Sequence, residues 1–271
     1  MQLQVKHQTT YRYDAPVSYT IQSLRLSPRP HHGLSVLSWR VQADGRRELP
    51  FFTDGFGNIV HSHSINRIHD CVTLLVEGEV ETTDTAGILR GGAEPLPPAF
   101  YLRSTPLTVA DAAIEALVAE NGHGKSIIER LHRLMIAVRE RVDYRLGATD
   151  VATTAAEALA RGVGVCQDHS HIFIAAARHH GIPARYVGGY LWTGVETQEY
   201  SASHAWAEAY VQDLGWVGFD AANCICPTAA YIRTSIGLDY SSAMPVRGIR
   251  RGESAEDLTV RVSVTAGAGD Q

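Results

Sequence analysis

A thiol, an imidazole and a carboxylate stand in that order at Cys166, His204 and Asp220. Such a set suits nucleophilic catalysis: the sulfur attacks, the imidazole moves the proton, and the carboxylate orients the imidazole. Gly162 and Gly164 allow a sharp backbone turn just before Cys166. From Gln167 the pattern turns helical, with Ile172, Phe173, Ala176 and Ala177 apolar and Gly181-Ile182-Pro183 as the stop. Cys166 is therefore expected at a helix N-terminus, where free N–H groups and the positive end of the dipole favour a thiolate. His204 lies in an alternating run that continues to Val211, on the face that also carries Trp206, Glu208 and Tyr210. The segment Gly215-Trp216-Val217-Gly218-Phe219-Asp220 closes the next run, and Gln212-Asp213-Leu214-Gly215 makes the turn between them. The two runs then form antiparallel strands on which His204 and Asp220 can lie side by side, with the register left open by the sequence.

Other residues invite chemistry less strongly. Asp168, His169 and His171 flank the nucleophile, but Asp168 is read first as an acid placed in the helix's first turn for the dipole. Trp192, Trp206 and Trp216 suit either a cleft wall or a core. Cys224 and Cys226 form a Cys-x-Cys pair just beyond Asp220, without a second pair at zinc-ligand spacing. The histidines at 31–32, 61 and 63, and 179–180 are read as solvated rather than ligating. No metal and no cofactor are expected. A metalloprotein built on Cys224, Cys226 and nearby histidines is the rival reading of that pair.

The elements that must position these residues fall into two regions. Residues 3–13 alternate strictly between apolar or aromatic and polar side chains, as in a half-buried strand. Short apolar runs follow at 23–26, 34–41, 59–65 and 72–80, separated by turn residues such as Ser27-Pro28-Arg29-Pro30 and Asp54-Gly55-Phe56-Gly57-Asn58. That spacing predicts a β-sandwich-like domain over 1–82. Residues 83–105, rich in Thr, Gly and Pro, read as a linker over the surface. The remaining 106–271 form the catalytic domain. Its first helix is expected to be capped by Thr108 and its second by Ser126, with a short third helix opened by the Thr154-x-x-Glu157 capping box and ended by Gly162. Strand texture returns at 184–192, 204–211 and 216–220, and Leu258, Val260, Val262 and Val264 mark a final strand. Helices preceding a β region give an α+β fold.

Composition limits the partners. The 271-residue chain is 45% hydrophobic and 20% charged with a net charge of −5, so no basic stripe recommends nucleic acid. No stretch approaches a membrane span, and Met1–Lys6 lacks the apolar core of a signal peptide, so a cytoplasmic location is expected. Four cysteines are too few for a disulfide framework, and Cys71 reads as a small buried hydrophobe.

Four segments together resemble the transglutaminase-like superfamily, which shares the papain-like cysteine-protease core: Gly164-Val-Cys166-Gln-Asp-His-Ser-His171, Gly181-Ile-Pro-Ala-Arg-Tyr-Val-Gly-Gly-Tyr190, Ser203-His-Ala-Trp-Ala-Glu-Ala-Tyr210 and Gly215-Trp-Val-Gly-Phe-Asp220. Tyr11-Arg-Tyr-Asp-Ala-Pro-Val17, Leu24-Arg-Leu26-Ser-Pro28, Leu37-Ser-Trp39 and Asp54-Gly-Phe-Gly-Asn58 resemble the β module that precedes this core in bacterial members. The resemblance implies a triad of Cys166, His204 and Asp220 acting on a peptide, isopeptide or side-chain amide of a peptide or protein substrate. Tyr144 and the backbone N–H of Cys166 are the oxyanion-donor candidates, since no glutamine precedes the nucleophile as it does in papain-type proteases. Gln167, Asp168 and Trp206 are the further site-lining candidates. Members often carry Asp-Pro-Thr-Asn where this chain has Asp220-Ala-Ala-Asn223, and no acidic cluster supports a calcium site. Hydrolysis is expected to dominate over transamidation. A protein-glutamine transglutaminase is the alternative, and a non-catalytic binding module the alternative of another class.

Overall fold

The computed structural model describes residues 1–194 and 203–267, so Glu196 and Glu199, which precede His204, lie outside the described residues. The N-terminal strands are β1 (Gln2–Val17), β2 (Tyr19–Ser27), β3 (Leu34–Ala43), β4 (Phe51–Thr53), β5 (Ile59–Ile65) and β6 (His69–Thr82). β1 buries Leu3, Val5, His7 and Thr9 and exposes the residues between them, as its alternation predicts. A short strand, β7 (Ile88–Leu89), precedes helices α1 (Ala112–Asn121) and α2 (Ile127–Arg141). Then come β8 (Asp143–Tyr144), α3 (Ala155–Arg161), β9 (Val163–Gly164) and α4 (Cys166–His179). The chain continues through β10 (Ala184–Leu191), β11 (Ser203–Val211), β12 (Gly215–Phe219), β13 (Tyr231–Gly237), α5 (Tyr240–Ala243), β14 (Val246–Arg251) and β15 (Glu256–Ala266). The fold is α+β.

Three antiparallel sheets carry most of the strands. Two have four strands each, in the orders β15-β1-β6-β3 and β14-β2-β5-β4, and enclose a core that includes Leu24, Leu26, Val41, Val72, Leu74 and Val76. The third, β13-β10-β11-β12-β7, packs helix α4 against Ala205, Ala207, Ala209, Val217 and Phe219. Leu3, Val5, Val262 and Val264 of the first sheet meet Tyr190 and Ile232 of the third, so an apolar seam joins the two regions. No helix among the described residues is long and apolar enough to cross a membrane.

Two expectations need correction and one needs refinement. The final strand exists, but β14 and β15 do not extend the catalytic sheet. β15 pairs with β1 from Leu3↔Ala266 to Tyr13↔Glu256, and β14 pairs with β2. Alternation shows that a strand has a buried face without showing which sheet supplies the cover. Residues 83–105 do run mostly exposed over the surface, but they are anchored to the core rather than loose. β7 pairs with β12, Tyr101 is fully buried, and Glu94 accepts a 2.6 Å hydrogen bond from Arg185, itself buried against Glu208 and stacked 3.8 Å from the Trp216 ring centroid. Finally, α1 is capped by Asp111, whose side chain accepts from the Ile114 N–H. Thr108 lies one turn earlier and accepts from Arg178 of α4, which also reaches the carbonyls of Tyr101, Ala184 and Leu238. Ser126 and the Thr154–Glu157 capping box sit as expected.

Candidate active site

Cys166 is the first residue of α4. The chain reaches it through Gly162, which ends α3 at a left-handed φ of 66°, and through β9, which pairs in parallel with β8. Gly164 leaves no room for a side chain, because a Cβ there would lie 2.7 Å from the Cβ of Asp168. Asp168 explains that close approach. Its Oδ2 accepts from the Val165 N–H at 2.7 Å and from the Thr149 hydroxyl at 2.6 Å, closing the helix start. Asp168 is 1% exposed and does not line the cavity, so of its two readings the structure supports the helix-start role. As the first helical residue, Cys166 presents a backbone N–H without an intrahelical acceptor.

His204 is the second residue of β11, opposite Gly189 of β10. Its Nε2 donates to Asp220 Oδ2 at 2.6 Å, which leaves Nδ1 as the ring nitrogen for the sulfur. Burial works against a charged imidazole. The hydrogen bonds and charges of Asp220 and Cys166 outweigh it and push the His204 pKa up to about 10. Asp220, just beyond β12, is fully buried. Burial disfavours its ionisation, but His204, Tyr231 and Asn223 more than offset this and hold its pKa below the ordinary carboxylate value. Besides His204, the Tyr231 hydroxyl donates to Oδ2 at 2.7 Å and Asn223 Nδ2 at 2.8 Å, while the N–H groups of Ala222 and Asn223 serve Oδ1.

Tyr231 is a residue that sequence reasoning misses. It comes from β13, and no motif marks it. Asn223 was visible as the last residue of Asp220-Ala-Ala-Asn223, without a role. The Cys224–Cys226 segment folds back so that Asp220 and Ile225 exchange both backbone hydrogen bonds, with Cys224 in the left-handed region at φ 58°. Burial raises both thiols, and all four cysteines are free. Among the described residues, no group of three or more His, Cys, Asp or Glu is placed to hold a metal ion.

Tyr144 stands opposite Gly164 in the β8–β9 pair, close enough to Cys166 for the two to interact. Burial, then the Cys166 sulfur, pushes its phenol up to about 12, so it keeps a proton to donate across the neutral range. Gln167 lines the cavity that contains Cys166 and His204. Trp206 does not. It is 2% exposed and stacks on His204 at 6.3 Å between ring centroids, with Tyr231 edge-on to it, so it supports the imidazole from within the core. Trp192 and Trp216 also stay out of that cavity, with Trp216 packed on Arg185. His169 and His171 are fully buried. His169 lies between the carbonyls of Val165 and Val142, and His171 accepts from the Tyr240 N–H.

A cysteine at a helix start beside a carboxylate-bound histidine, on an α+β core of this layout, defines the architecture of cysteine-dependent enzymes. Residues 115–221 match the transglutaminase-like superfamily, and residues 3–81 match the bacterial transglutaminase-like N-terminal region. The chain belongs to the transglutaminase-like superfamily, in the bacterial form that carries this N-terminal region. An uncharacterised protein of Mycobacterium leprae is 29% identical, over 97% of this chain and 98% of that protein. One from Mycobacterium tuberculosis is also 29% identical, over 96% of this chain and 90% of its own length. Among solved structures, "The Crystal Structure of a Putative Cysteine Protease from Cytophaga hutchinsonii" superposes with a TM-score of 0.78 at 19% identity, covering 98% of this chain and 91% of that one. That likeness is one of fold.

Proposed function

We propose that the protein cleaves an amide bond of a peptide or protein through a thioester on Cys166. The observation that carries this reading is the 2.6 Å hydrogen bond between His204 Nε2 and Asp220 Oδ2, in a residue that also faces Cys166 in one cavity. Cys166 attacks the carbonyl carbon, and the oxygen takes the negative charge, which the Cys166 N–H and the Tyr144 hydroxyl are suited to receive. His204 gives its proton to the departing ammonia or amine as the carbon–nitrogen bond breaks. Water then enters, His204 takes a proton from it, and the thioester opens to the acid with the thiol restored.

Water is the favoured acceptor. Among the described residues lining the cavity there is no Asp or Glu to hold a lysine ammonium group. The test is turnover of peptide, side-chain amide and isopeptide libraries, with Cys166→Ala as control, followed by titration of a labelled primary amine on one substrate. Free acid is the expected main product at low amine concentration. Excess adduct there would make the protein a transferase, and turnover by Cys166→Ala would remove the thioester altogether.

A further inference from the structure

The active-site cavity does not belong to the catalytic core alone. Cys166, His204 and Tyr186 form part of it, and the opposite wall comes from the first and last strands of the chain. His7, Thr9 and Tyr11 project from β1, while Leu258 and Val260 project from β15. The register sets Tyr11 against Leu258 and Thr9 against Val260, so these residues form a continuous surface on one face of that sheet. His7 fastens this wall to the core. Its Nδ1 lies 2.8 Å from the Tyr190 hydroxyl of β10, and its Nε2 lies 2.8 Å from Thr9 Oγ1.

The cavity is about 390 Å³ and is lined by no Asp, Glu, Lys or Arg among the described residues. Burial pushes His7 down to about 4, so it is neutral at physiological pH, and its two nitrogens are already engaged. Tyr11 and Tyr240 are held in their protonated forms by burial. Away from the Cys166–His204 pair, a charged group entering this space would lose water and find no counter-charge among the described residues, whereas an apolar one would find Leu26, Val246, Leu258 and Val260.

We propose that the wall formed by β1 and β15 is the specificity surface of the enzyme, accepting an uncharged aliphatic or aromatic group beside the attacked carbonyl and rejecting Asp, Glu, Lys or Arg there. This assignment rests on Cys166 being the nucleophile. The test uses peptidyl chloromethyl ketones whose residue next to the ketone is Phe, Leu, Glu or Lys. Rates of Cys166 alkylation are read by mass spectrometry and normalised to the iodoacetamide rate of the same protein. The Phe and Leu probes should react at least about tenfold faster than the charged ones, the scale on which an apolar pocket discriminates. Leu258 is 52% exposed, so a charged side chain there keeps contact with water, and Leu258→Glu and Leu258→Arg supply the second arm. The Glu variant should shift preference toward the Lys probe and the Arg variant toward the Glu probe, each by several-fold. Equal normalised rates for all four probes, with no opposite response of the two variants, would overturn the pocket and leave the nucleophile standing. Iodoacetamide that labels Cys71, Cys224 or Cys226 as readily as Cys166 would overturn the nucleophile, and the pocket with it.

Discussion

Asp220 is the most heavily bonded residue of the site, and its partners decide how His204 behaves. Three side chains converge on its Oδ2, and they hold the carboxylate ionised against the burial that opposes its charge. That anion is one of the groups that raise His204 to about 10. A histidine raised above its ordinary 6.5 contributes its full stabilisation below that value and loses it as pH rises through about 10. Activity that needs a proton from His204 should therefore fall on an alkaline limb, and Tyr231→Phe should move that limb to higher pH, because Asp220 stays ionised there and, with one donor fewer sharing its charge, holds the imidazolium more strongly. Removing one hydrogen bond to a charged group, about 1.5 kcal/mol, corresponds to roughly a tenfold loss in kcat/KM. The check is the pH profile of kcat/KM for both proteins. A purely structural Tyr231 would lower activity without moving the limb.

At the scale of elements, the start of α4 concentrates the local rules that place Cys166. Asp168 closes the helix by taking the Val165 N–H, and the same oxygen tethers Thr149 of the preceding loop. Asp168→Ala should cost about 1–2 kcal/mol of stability, the worth of a lost cap together with a buried donor left unpaired. Denaturant unfolding measures this, and a change within about 0.3 kcal/mol would assign the cap to other groups. These features were legible in the sequence because they are local: glycines before a cysteine, an acid two residues after it, and a Thr-x-x-Glu box. The His204–Asp220 pairing was legible only as something the sequence permits, since a short turn makes two adjacent antiparallel strands but leaves their register open. Tyr231 and His7 were not. Tyr231 arrives from a neighbouring strand with no motif of its own, and His7 meets Tyr190 across 183 positions of sequence. Contacts of that kind depend on which sheet covers which, and side-chain periodicity carries no such information. Trp206 shows the same limit, because alternation gives its face but cannot say whether that face is cleft or core.

The whole molecule is arranged so that neither region is complete without the ends of the chain. Composition divides it near residues 82 and 105, but both four-stranded sheets of the N-terminal module take an edge strand from beyond residue 245. A fragment of residues 1–82 would leave β1 unpaired on one side along its length and β2 likewise, which favours association over independent folding. It would also expose the apolar seam formed by Leu3, Val5 and Val80. We expect that fragment to show no cooperative unfolding transition by circular dichroism. The remedy lies in the register: β15 runs antiparallel to β1, and the Gly267 N–H donates to the Gln2 carbonyl, so the end of β15 lies beside the start of β1. Joining residues 246–267 to residue 2 through a short turn should restore both edges and a cooperative transition. A cooperative transition in residues 1–82 alone would show that the module is self-sufficient. The last two strands would then serve the cavity wall rather than the fold.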